Sequence, residues 1–135
     1  MPERAANLRA ELILKAMIAV GSADGGLEDR EVSLIQQVYE DQAERPITRD
    51  EIVEVLQAST RDGLLAELSG ASPVLDRETK EEIIRAAYLT LLADGRIAAE
   101  ERKKLQDIAM ALRVPEILFG AILEDLALWL EEQKS

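Results

Sequence analysis

The chain has 135 residues and a formal net charge of −11, with 47% hydrophobic but only 3% aromatic residues and neither Cys nor His. Disulfides, thiolate nucleophiles, imidazole bases and zinc sites built on Cys or His are therefore excluded. So negative a chain argues against nucleic acid and anionic membranes, which need a basic face, and suits cations, basic partners or plain solubility.

From about Glu3 to Ala23, Leu8, Leu12, Ile13, Ala16, Met17 and Val20 recur at three- and four-residue spacings, which predicts an amphipathic helix. Gly25 stands where a left-handed residue would end it. Leu27 precedes a second helix, with Val32 in register for a hydrophobic staple and Leu34, Ile35, Val38 and Tyr39 on its buried face. The polar segment 40–46, ending in Pro46, reads as a loop. Ile47-Thr48-Arg49-Asp50-Glu51-Ile52 then combines an N-cap at Thr48, a capping box with Glu51 and a staple between Ile47 and Ile52. That helix runs to about Ala58. A shorter one holds Leu64, Leu65 and Leu68 and is closed by Gly70. Asp76 caps the next, which carries Ile83, Ile84, Ala87, Tyr88 and Leu91. Leu105, Ile108, Ala109 and Leu112 mark a sixth, and Pro115 opens the seventh in its first turn.

The expected fold is all-α, a single domain over 1–135 of about seven helices and no strand. An aliphatic palette suits helix-on-helix packing, and this length buries about two-thirds of the unfolded surface. The opening Met1-Pro2-Glu3-Arg4 lacks a signal-peptide pattern, and no apolar run approaches the ~20 residues that span a bilayer. A soluble cytoplasmic protein without membrane insertion is expected.

One stretch occurs twice. Ala23-Asp24-Gly25-Gly26-Leu27 leading to Glu31 matches Ala93-Asp94-Gly95-Arg96-Ile97 leading to Glu101, both reading A-D-G-x-[L/I]-x-x-x-E. The match extends outward: Glu11 meets Glu81, Ile13 meets Ile83, Ala16 meets Ala86, Ile35 meets Leu105 and Val38 meets Ile108. This predicts a duplicated helical hairpin with a pseudo-two-fold arrangement. The middle helices, roughly 48–70, break the repeat and are expected to pack across both hairpins.

The spacing of the turn copies the second half of a calcium-binding EF-hand loop, but its first half fails. Val20 and Thr90 fill the first slot, Ser22 and Leu92 the third. Two readings of the acids follow. Glu31 and Glu101 stand near the third helical position, where a glutamate reaches back to backbone N–H groups. Asp24 and Asp94 then cap the turn or the following helix, the commoner fate of such residues. Alternatively Asp24, Glu31, Asp94 and Glu101 together hold a divalent cation, and hard oxygen donors favour calcium or magnesium.

The double motif, each copy preceded by an apolar helix, resembles the tellurite-resistance TerB-like family and is similar to the N-terminal domain of a membrane-anchored DnaJ-type co-chaperone. The resemblance spans most of the chain, including Leu105–Leu112. It implies an all-α domain of about seven helices linked to tellurite resistance and wider stress responses. It also implies that Asp24, Glu31, Asp94 and Glu101 bind metal or mediate protein contacts. The sequence departs from the family pattern at Glu28 and Ala98, where a small N-cap is usual, and at Arg113, where a glycine usually closes the helix.

On the last helix, Leu118, Phe119, Ile122, Leu123, Leu126, Trp129 and Leu130 form one broad face expected in the core. Ile117, Ala121 and Leu128 lie opposite, flanked by Glu124, Asp125, Glu131 and Glu132. Such a strip suits another protein or a second copy; scattered exposed apolar residues are also ordinary. No nucleophile motif or phosphate-cradling glycine loop accompanies the carboxylates, so a non-catalytic interaction or scaffold module is expected, with no certain cofactor. The alternative is a metal-assisted hydrolase or other enzyme using the paired carboxylates. A concave pocket near Asp24 and Asp94 would favour it.

Overall fold

The computed structural model describes residues 2–23, 26–58, 61–93 and 99–134, with side chains described except in 2–6, 61–62, 101 and 133–134. Among the described residues there are seven α-helices, one 3-10 turn and no strand. The helices are α1 Pro2–Gly21, α2 Asp29–Ala43, α3 Arg49–Ala58, α4 Arg61–Ala71, α5 Arg77–Leu92, α6 Ala99–Ala111 and α7 Glu116–Lys134. The 3-10 turn Ser72–Val74 follows α4. None of these helices is long and apolar enough to cross a membrane.

The second half of α1 is the centre of the bundle. Residues 16–23 are buried without interruption, and α1 packs on α2, α3, α4, α5 and α6. The segment Leu12–Gly21 is apolar on every side except at Lys15, and a helix apolar all round is stable only in the interior. An amphipathic reading of this helix understated its burial. It also misplaced Leu8, which lies 39% exposed near the start of α1. The single cation of the segment, Lys15, is met by Glu67 of α4.

The other central helix is α5, which packs on α1, α2, α6 and α7. Ile83, Ile84, Ala87, Thr90 and Leu91 bury its inner face. The middle helices connect the rest, α3 touching α1 and α2 while α4 touches α1 and α6. The expected equivalence of the two hairpins rests largely on turn residues 24–25 and 94–98, which lie outside the described residues.

Local signals placed the helix starts well. The Thr48 Oγ1 accepts the Glu51 N–H at 3.1 Å and Glu51 Oε1 accepts the Thr48 N–H at 3.1 Å, a complete capping box, with Ile47 and Ile52 both buried. Asp76 Oδ1 accepts the Thr79 N–H at 2.8 Å, and hydrogen bonds from the Thr79 side chain and backbone hold its carboxyl below the usual value of 3.8. Pro115 stands one residue ahead of α7, and its carbonyl accepts the Phe119 N–H.

Helix ends were harder to place. α2 continues through Glu40-Asp41-Gln42-Ala43, the stretch expected to be a loop, because these residues are polar without being helix breakers. It stops at Glu44, whose φ of 58° is left-handed and whose N–H bonds the Glu40 carbonyl. Gly70 does not close α4 but lies inside it, since the helix runs to Ala71. Arg113 does what the missing glycine would do. It takes φ 59°, its N–H bonds the Met110 carbonyl and the Val114 N–H bonds the Ala109 carbonyl. That pair of bonds is a Schellman ending. The leftover Leu112 carbonyl accepts the buried Ser72 hydroxyl at 2.9 Å, which ties the turn after α4 to the end of α6.

Candidate functional site

Of the four acidic residues expected to act together, Asp24 and Asp94 lie outside the described residues, as does the side chain of Glu101. Glu101 is the third residue of α6 and Glu31 the third of α2, the register in which a glutamate can reach back to the helix start. Glu31 does so: its Oε1 accepts the Glu28 N–H at 2.9 Å. Glu28 itself has the extended backbone of an N-cap, φ −84° and ψ 161°.

Glu31 is nevertheless more than a surface cap, because it is only 2% exposed. It sits where α1, α2 and α5 meet. A Cβ placed on Gly21 would lie 2.7 Å from Leu27 Cδ2, 3.1 Å from Glu31 Oε2 and 3.2 Å from Thr90 Cγ2. Only the absence of that Cβ lets the end of α1 approach so closely. Gly21 precedes Asp24 by three residues and Thr90 precedes Asp94 by four, so α2 begins against both chain segments that lead into the motif. Nothing in the sequence marked Gly21 for this place.

The slots that fail the calcium-loop pattern are occupied by core groups. Val20 and Thr90 are fully buried, and the Thr90 hydroxyl donates to the Ala86 carbonyl at 3.0 Å. Ser22 is buried with its hydroxyl donating to the Ile18 carbonyl at 2.6 Å. Ala23 N–H bonds the Val20 carbonyl, so the end of α1 tightens a few residues before Gly25, which lies outside the described residues. Among the described residues no group of three or more acidic side chains is placed to hold a metal ion. Beside Ala93 lies a shallow, open depression bordered by Asp29, Arg30, Ser33, Leu34 and Gln37.

A deeper cleft, of about 420 Å³, lies between α2 and α7. Its floor comes from α1 and α5 through Ile13, Ala86 and Leu89, and its walls carry Val38 and Asp41 on one side and Asp125 and Trp129 on the other. Glu82 and Arg85 line it from α5, with Glu82 3.7 Å from both Arg85 and Arg9. The sequence reading put Trp129 in the core. The indole instead is 49% exposed at the cleft wall, since α7 rests mainly on α5 and only Ile122 and Leu126 of its inner face are fully covered. The opposite strip is open as expected, with Ile117 90% and Leu128 59% exposed.

On the other side of α2, the buried Tyr39 hydroxyl accepts a hydrogen bond from Arg45 Nη2 at 2.6 Å, and the guanidinium lies 5.1 Å from its ring centre. Burial raises the Tyr39 pKa above 10.0, with Arg45 opposing and Glu11 and Glu51 reinforcing. This group closes the α2–α3 junction, beside a shallow depression that Glu11, Glu51 and Glu54 also border. Comparison of the chain with family models, curated proteins and solved structures finds no match.

Proposed function

We propose that the chain is a non-catalytic protein-interaction module of the TerB-like kind, acting in the cytoplasm in tellurite resistance or a wider stress response. The observation that carries this reading is α7. It rests mainly on α5 and presents Ile117, Leu128 and Trp129 to solvent among Glu116, Glu124, Asp125 and Glu132, all exposed. Exposed apolar side chains with an acidic rim suit contact with another protein or a second copy. The turn acids take a second role in the same reading. Asp24, Glu31, Asp94 and Glu101 bind a hard divalent cation such as calcium or magnesium. Support comes from the way the start of α2 meets both chain segments entering the motif.

Proximity labelling in cells that produce the protein tests the interaction reading. The double variant Ile117→Asp, Leu128→Asp should lose neighbours that the parent labels while melting within a few degrees of it, because both side chains are solvated already. An unchanged set of neighbours would sink the proposal. Sedimentation of parent and variant separates self-association from a foreign partner.

A further inference from the structure

We propose that the cleft between α2 and α7 is the docking groove for a basic amphipathic helix of a partner protein. The inference rests on the interaction reading above and assigns it a site and a partner chemistry.

Shape comes first. Glu82, Arg85 and Leu89 follow one another along α5 at three- and four-residue steps, so the floor runs two turns, about 10 Å. Two helices wall it and two more, α1 and α5, floor it, an arrangement that receives an amphipathic helix by its apolar face. A volume of about 420 Å³ with Val38, Leu89 and Trp129 open to it accommodates apolar anchors projecting from such a helix.

Charge decides what flanks those anchors. Glu82 is shared by two cations, Arg85 and Arg9, each 3.7 Å from it, so the groove's negative charge comes from its rims. Asp41 on the α2 wall and Asp125 on the α7 wall enter no ion pair or hydrogen bond among the described residues. Each rim offers one carboxylate without a partner, and Glu40 is exposed next to Asp41. Lysines or arginines on the edges of the incoming helix meet these acids, and its apolar stripe meets the floor. A second copy of this chain would bring a net charge of −11 against the same rim, which disfavours it.

Trp129 is the chain's only tryptophan and reports on the groove directly. The experiment titrates the full chain with a synthetic Leu/Lys amphipathic peptide of about 18 residues, or five turns, and with its Leu/Glu counterpart, following indole emission. The Lys peptide should bind saturably and shift the emission to the blue. Asp41→Lys with Asp125→Lys should weaken binding by about tenfold or more, while the equal charge change Glu54→Lys with Glu78→Lys, outside the groove, should weaken it by less than about threefold. Both pairs are exposed, and melting curves check that the variants fold. Equal losses from both pairs would mean that binding follows net charge, and the assignment falls. It falls also if the Leu/Glu peptide binds as well, if spermine alone displaces the Lys peptide and reproduces the shift, or if the rim variant merely dissolves a dimer of the chain. Should the groove fail while Ile117→Asp, Leu128→Asp still removes cellular neighbours, the module keeps its function and only this site is wrong.

Discussion

The first and last helices are built from much the same aliphatic material and end in opposite circumstances. α1 is enclosed by five other helices, and from Ala16 to Gly21 every residue on it is buried. α7 rests chiefly on α5 and leaves Ile117, Leu128 and Trp129 outside. Local hydrophobicity did not decide this. α1 has neighbours on every side because the chain returns across it with α4 and α5, whereas no described helix packs on the outer face of α7. The comparison teaches that an apolar side chain contributes to stability only where the topology supplies partners, and that elsewhere it is available for binding.

The largest expected effect would break that comparison most directly. Met17→Ala, in the fully buried part of α1, should lower unfolding stability by about 2–5 kcal/mol in a denaturant titration. Leu128→Ala on α7 should change it by less than about 0.5 kcal/mol. Similar losses for both would show that the outer face of α7 is covered in solution.

A cation held at the motif should stabilise the folded chain by mass action, about 2.7 kcal/mol when the free ion is 100 times its dissociation constant. Melting in millimolar calcium, magnesium or manganese should then rise for the parent and not for Asp24→Asn. No shift with any of the three ions would leave Asp24, Asp94 and Glu101 as caps or contact residues.

Gly21→Ala sharpens the picture of the α1 end. Helix propensity alone favours alanine by about 1 kcal/mol, but the new Cβ meets Leu27, Glu31 and Thr90 at 2.7–3.2 Å. Overpacking of about 1–3 kcal/mol should outweigh the gain, for a net loss near ~1 kcal/mol. A variant more stable than the parent would show that the three helices are not so tightly joined.

At the entry to α7 the sign reverses. Arg113→Gly should stabilise by about 0.5–1 kcal/mol, because arginine occupies a left-handed position that glycine adopts freely. A loss of stability instead would mean that the Arg113 side chain contributes more than its backbone strain costs.

The smallest effect lies in alkaline solution. Tyr39 holds its proton more tightly folded than unfolded, so its contribution is complete below pH 10.0 and is lost as pH rises through the higher folded value. Tyr39→Phe should therefore lose less melting temperature than the parent between neutral pH and the alkaline range. Parallel curves would show that the phenol is not shielded.

Helix starts and helix class were legible in the sequence because they depend on groups only a few residues apart. Thr48 with Glu51, Asp76 with Thr79, and Glu31 at the third position of α2 each find their partner within one turn. The all-α fold follows from period and from the aliphatic palette in the same local way. Helix ends were less legible, since Glu44 and Arg113 take left-handed backbones that no residue preference announces. What only the tertiary structure decided are the meetings between distant segments. Gly21 lies against Leu27, Glu31 and Thr90; Ser72 bonds the Leu112 carbonyl; Trp129 stands at the wall of a cleft floored by Ile13 and Ala86. Such contacts depend on which helices the chain lays side by side. An indole or a carboxylate carries no mark of whether its neighbour 40 or 100 positions away will cover it.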